Sequence, residues 1–138
     1  MGKALFFGAI YFAIVFAVGF ALGTLRVLVV APATGAVIAV LLEAPIMIGV
    51  SWIVARSLLR NRRFGAGEFA LMGGFAFGLL MAAECTLAII LFDQSAAGWA
   101  AALVTPLGLI GLSGQVVFGI IPLLIRRLPA EFDAQKHG

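Results

Sequence analysis

The chain has 138 residues, of which 64% are hydrophobic and 11% are charged, and its mean hydropathy is +1.20. A soluble domain of this length needs more polar surface than these side chains can supply. The composition therefore excludes a water-soluble globular protein and indicates a lipid bilayer as the surrounding medium. The net charge of +3 does not indicate nucleic acid, because most basic residues flank apolar segments, where they anchor helix ends to lipid headgroups.

Four apolar segments follow one another along the chain, at 4–28, 35–55, 69–92 and 101–125. Each is close to the roughly twenty residues that an α-helix needs to cross the hydrocarbon core. The segments are too long and too uniformly apolar for barrel strands, and helices satisfy their own backbone amides in lipid. We therefore predict one all-α membrane domain over 1–138, a four-helix bundle of two antiparallel helical hairpins joined by short breaks.

The first segment carries two glycines four residues apart, Gly19 and Gly23, and it ends near Arg26. This spacing is typical of helix faces that pack closely in membranes, and Arg26 falls on the same face. A cleaved signal peptide is the alternative, because a lysine precedes the segment and small residues follow it. The apolar run is longer than a usual signal core, so we interpret it as a true span.

The second segment contains an acid, Glu43, and a proline, Pro45, within an otherwise apolar run. A proline inside a helix frees a backbone carbonyl and kinks the helix, which can open a polar pocket beside the acid. Trp52, one turn before Arg56, is typical of the aromatic anchors found at a membrane interface.

The third segment repeats part of the first, because the seven residues from Gly74 match the seven from Gly19 at five positions. Duplication of a helical hairpin and chance in a chain of such biased composition both explain this match. Gly74 and Gly78 again predict a close-packing face. Cys85, the only cysteine, is predicted to fill space as a small apolar side chain.

Two acids, Glu43 and Glu84, lie well inside the segments, roughly 12 Å below the outer boundary at about 1.5 Å per residue. A charge at this depth needs a partner. Because side chains lean toward the N-terminus of their helix, Arg26 leans toward Glu43, and we predict an Arg26–Glu43 pair with a protonated Glu84. A structural clasp, a proton- or cation-responsive site, and an arginine that reaches the headgroups all remain open.

The fourth segment follows a second interfacial anchor, Trp99, and contains two polar residues, Ser113 and Gln115, near its middle. These side chains are predicted either to line the polar pocket or to join helices through hydrogen bonds. Pro122, nearer its end, should free a carbonyl one turn earlier.

If the chain crosses the membrane four times, all its lysines and arginines except Arg26 lie on one side of the membrane. The side with most of the basic residues is predicted to be the cytoplasm. The chain is then integral to a bacterial cytoplasmic membrane, with both termini and a short tail at 126–138 in the cytoplasm. The residues on the cytoplasmic side are Lys3, Arg56, Arg60, Arg62, Arg63, Arg126, Arg127 and Lys136.

Several site types are missing from the sequence. The only histidine, His137, lies in the tail, which excludes bis-histidine haem ligation, a histidine-based triad and a histidine zinc site. There is no Gly-rich phosphate loop. We therefore expect no metal, no cofactor and no enzymatic activity.

Two functions remain. The favoured one is a non-catalytic accessory or scaffold subunit that packs against other membrane helices, as a homo-oligomer or in a larger membrane complex, because four short-looped helices enclose little volume. The alternative is a proton- or cation-responsive transporter of small solutes, or a ligand-binding module, that uses Arg26, Glu43 and Glu84.

Overall fold

The structure is a computed structural model that describes residues 1–127, and every regular element in this range is helical. The predicted tail at 126–138, with Lys136 and His137, lies outside the described residues from position 128 onward. The helices are α1 (Gly2–Leu25), a π-helical segment (Arg26–Val30), α2 (Ala31–Thr34), α3 (Ala36–Leu59), α4 (Ala66–Phe92), α5 (Ala96–Leu103) and α6 (Pro106–Ile125).

Four helical stretches within the described residues are long and apolar enough to cross a membrane. The prediction of an all-helical chain with four apolar spans is confirmed at this level. The stretches are Gly2–Thr34, Ala36–Leu59, Ala66–Phe92 and Pro106–Ile125.

The first stretch extends past the predicted boundary at residue 28, because the helix widens into a π turn instead of ending. The amide of Ala31 donates to the carbonyl of Arg26, five residues earlier. Pro32 follows directly, and a proline ring collides with the carbonyl one turn before it in a regular α-helix. A wider turn is one way in which a helix accommodates that ring. The stretch ends at Gly35, whose φ of 91° favours a residue without a Cβ.

The last membrane-crossing helix begins later than predicted, because the region from 101 onward is divided at residues 104 and 105. Thr105 caps α6, and its hydroxyl accepts the amide of Gly108 at 3.1 Å. Pro106 occupies the first helical position, where the missing N–H of a proline costs nothing. Ser95 caps the short α5 in the same way, through the amide of Gly98 at 3.0 Å.

The four long helices pack in a ring in which α1 and α6 each contact both α3 and α4. Small residues bring two of these pairs close together. A Cβ added to Gly73 on α4 would collide with the carbonyl oxygen of Gly119 on α6, and one added to Gly8 on α1 would lie 2.9 Å from the carbonyl oxygen of Met72. The helix backbones therefore touch at these points, as in many membrane bundles.

Tyr11 connects the first and last helices across the ring. Its side chain is fully buried, its ring stacks on Phe118 with centroids 4.4 Å apart, and its hydroxyl donates to the Phe118 carbonyl at 2.8 Å. That carbonyl lies one turn before Pro122, which has no amide hydrogen to offer it. Tyr11 thus supplies the hydrogen bond that Pro122 removes.

Candidate functional site

Arg26 and Glu43 meet in the outer half of the bundle. The π-helical segment begins at Arg26, and the Arg26 Nε atom lies 2.5 Å from Glu43 Oε2. The two atoms are in contact without hydrogen-bond alignment, so the interaction is chiefly electrostatic. The side chains are 32% and 19% exposed, respectively. The pair therefore stands at the edge of the bundle, partly shielded from its surroundings.

Glu84 is held by Gln115 rather than by a cation. The Gln115 Nε2 group donates to both carboxyl oxygens of Glu84, at 2.6 Å each, while Gln115 Oε1 is buried without a hydrogen-bond partner. An amide nitrogen facing two carboxyl oxygens suits an ionised acceptor. A protonated Glu84, as predicted from the sequence, could instead donate its O–H to the amide oxygen if the amide group turned over.

We call the side chains of these two pairs, Arg26 with Glu43 and Glu84 with Gln115, the polar cluster. The cluster contains one guanidinium group and two carboxyl groups, so its formal charge is −1 when both acids are ionised. Uncompensated charge is costly in membrane surroundings.

The other two residues predicted to line the pocket lie away from this cluster. Pro45 is exposed on α3, and Ser113 is exposed on α6, where its hydroxyl donates to the Leu109 carbonyl at 2.7 Å. Each stands two positions from a member of the cluster, Glu43 or Gln115, and residues two apart on a helix point to opposite sides. The cluster is therefore built without them.

The two predicted glycine motifs lie in opposite environments. A Cβ at Gly19 would lie 3.1 Å from Met47 Cε, and one at Gly23 would lie 4.0 Å from Glu43 Oε1, so this pair faces α3 of the same chain. Gly74 and Gly78 are exposed, and a Cβ at either would meet nothing within 4 Å. The second motif thus has no close neighbour within residues 1–127.

Gly74 and Gly78 belong to a longer line of exposed small residues on α4, which we call the small-residue stripe. Its members recur at every fourth position, and all five are exposed. The outward face of α3 carries large aliphatic side chains instead, such as Leu42 at 54% and Ile53 at 65% exposed. The stripe consists of Ala70, Gly74, Gly78, Ala82 and Thr86.

The predicted aromatic anchors are both half-buried, with Trp52 in α3 and Trp99 in the short α5. At the basic end of the bundle, the guanidinium carbon of Arg62 lies 4.7 Å from the ring centre of Phe7. This is the geometry of a cation–π contact. It fixes the 60–65 loop against α1.

No known protein family, curated protein or solved structure matches this chain. Its four apolar helices indicate a membrane protein by their length and composition.

Proposed function

We propose that the protein is a non-catalytic scaffold or accessory subunit that packs against other membrane helices through the small-residue stripe. In this proposal the four spans form two antiparallel hairpins in a bacterial cytoplasmic membrane, and both termini lie in the cytoplasm. The single observation that carries the proposal is the open space around Gly74 and Gly78, where an added Cβ would meet nothing within 4 Å.

A face of small residues is suited to helix association in lipid. Lipid tails are as apolar as leucine, so membrane helices associate mainly through close van der Waals packing, which small residues permit. The stripe extends over seventeen residues, or roughly 24 Å for the sixteen steps of about 1.5 Å between its ends. This is most of the hydrocarbon thickness of about 30 Å. Each step of four residues turns the row by about 40° around the α4 axis, so a partner helix would cross the stripe and contact its central members, Gly74, Gly78 and Ala82.

The proposed occupant is a second copy of the same chain. Two copies related by a two-fold axis along the membrane normal have the same orientation, and the contact then brings the same stripe positions of both copies together. The chain already uses one glycine pair in this way internally, at Gly73 and Gly119. A second copy of the chain could therefore dimerise through the stripe alone.

The test compares two leucine substitutions at exposed glycines. Gly78→Leu adds bulk to the stripe, and Gly49→Leu adds the same bulk to an open position on α3. Sedimentation in mild detergent should give dimers for the wild-type chain and for Gly49→Leu, and monomers of equal helix content for Gly78→Leu. A wild-type chain that is monomeric at every concentration, or equal association of both variants, would contradict the proposal.

A second candidate function is a proton- or cation-responsive transporter of small solutes, or a ligand-binding module. It is favoured by the formal charge of the polar cluster and by the unpartnered amide oxygen of Gln115. Protonation of Glu84, with the Gln115 amide group turned over, would give that oxygen a donor and would also remove the excess charge. The reorientation of the Gln115 amide group could thereby couple the protonation state of Glu84 to the position of α6.

Infrared difference spectroscopy between acidic and alkaline samples tests this second candidate. A protonated carboxyl band that changes with pH should be present in the wild-type chain and absent in Glu84→Gln. Glu68→Gln removes an acid at the opposite end of α4 and should leave the band unchanged. A band that persists in Glu84→Gln would assign the proton to another group.

A further inference from the structure

The basic end of the bundle contains a cavity of about 440 Å³ with an apolar floor and an arginine rim, which we call the arginine cavity. It lies where α3 and α6 end and α4 begins. The floor is formed by Leu59, Phe69 and Ile125, none of which is more than 7% exposed. The rim carries exposed arginines at positions 60, 62, 63 and 126, and the remaining lining residues are Asn61 and Phe64.

The charge of this cavity differs from that of its neighbour. A second cavity of about 400 Å³ shares part of the 60–65 loop but is also lined by Lys3 and Glu68. Glu68 accepts the amide of Gly65 at 2.9 Å and lies 3.9 Å from the N-terminal ammonium group. The arginine cavity, by contrast, has no carboxylate among its described lining residues. It therefore favours an anion.

We propose that the arginine cavity binds the phosphate group of an anionic phospholipid. Guanidinium groups match phosphate oxygens in pairs, and arginine sheds its water more readily than lysine does. The helix ends place the rim at headgroup depth, where basic pockets between membrane helices bind acidic lipids. The buried apolar floor would receive the glycerol and the first carbons of the acyl chains. Free phosphate shares the charge chemistry but has no apolar part to contact this floor.

Native mass spectrometry of the full chain, titrated with phosphatidylglycerol and with phosphatidylcholine as reference, tests the proposal. The double variant Arg60→Gln/Arg126→Gln removes two rim charges without disturbing the core, because both side chains are exposed. The affinity for phosphatidylglycerol should fall roughly fivefold for each arginine. The wild-type chain should prefer phosphatidylglycerol to phosphatidylcholine.

The matched control is Arg56→Gln/Arg127→Gln, which removes the same charge from exposed positions at the same end but outside the cavity lining. The affinity for phosphatidylglycerol should change by less than about twofold, because these arginines act only through the diffuse surface field. Equal weakening in both double variants would overturn the proposal in favour of a general surface charge.

Competition with inorganic phosphate distinguishes the two sources of the phosphate group. The proposal expects bound phosphatidylglycerol to be retained when inorganic phosphate is added at the same ionic strength as a chloride control. Displacement by inorganic phosphate, with none by chloride, would show that the site takes free phosphate and would overturn the lipid assignment.

Discussion

Gly73 and Gly74 are neighbours on α4, but they have opposite surroundings. A Cβ on Gly73 would collide with the backbone of α6, whereas one on Gly74 would meet nothing within 4 Å. The two positions differ by about 100° around the helix axis. Glycine thus allows close helix packing within the chain at position 73, whereas at position 74 it leaves an open outer face. Substitutions on the inner face should unfold the protein, and those on the outer face should alter only its association.

The largest expected effect on stability is that of Gly73→Leu. Neither α4 nor α6 can yield easily, because the collision is between a side chain and a backbone carbonyl. We expect a loss of about 3 kcal/mol or more in the free energy of unfolding, or no folded protein at all. Gly74→Leu is the matched control and should keep wild-type stability. Thermal unfolding followed by circular dichroism measures both, and equal losses would break the comparison between the two faces.

Breaking the Arg26–Glu43 pair should have the next largest effect on the free energy of unfolding. Arg26→Met or Glu43→Gln leaves the other charge without its partner, at a cost of about 2 kcal/mol, which is below the value for a fully buried pair because both groups are partly exposed. The double variant should recover much of this loss. A double-mutant cycle on unfolding free energies measures the coupling. Strictly additive losses would mean that the two groups are stabilised independently.

Tyr11→Phe should have a smaller effect on the same inner side of the bundle. It leaves the buried carbonyl of Phe118 without a donor, since Pro122 has no amide hydrogen, and should cost about 1 to 2 kcal/mol. In a Pro122→Ala background the restored amide can bond to that carbonyl, so the same change should cost less there. An equal cost in both backgrounds would show that Tyr11 stabilises the bundle through packing alone.

The sequence was sufficient to predict the four spans, because segment length and hydropathy decide whether a helix crosses a membrane. Thr105 and Pro106 also carry a helix-start signal that locates the beginning of α6. The π turn at Arg26 has no equivalent signal, although Pro32 gives it a physical cause. The freed carbonyl of Phe118 follows from Pro122, but its donor lies 107 residues away and depends on the packed bundle.

The candidate sites were predictable to a smaller extent. Helix direction and depth suggested Arg26 and Glu43 as partners, and the structure places them side by side, while their role in function stays a prediction. The Gln115 contact to Glu84 depends on the rotation of α6 about its axis, which its apolar sequence does not define. The same uncertainty applies to the glycines, since the GxxxG spacing marks a face without stating which neighbour it meets.

A cysteine placed on the small-residue stripe should have the smallest effect on stability. It also tests the proposed contact between two copies most directly. In a Cys85→Ser background, Ala82→Cys should change the unfolding free energy by no more than about 0.5 kcal/mol. Mild oxidation in membranes should then produce a disulfide-linked dimer, because the proposed two-fold contact brings α4 of both copies together. The matched variant Ile46→Cys, on the exposed face of α3, should form no disulfide-linked dimer. Absence of a dimer from Ala82→Cys, or equal dimer from both, would contradict the account.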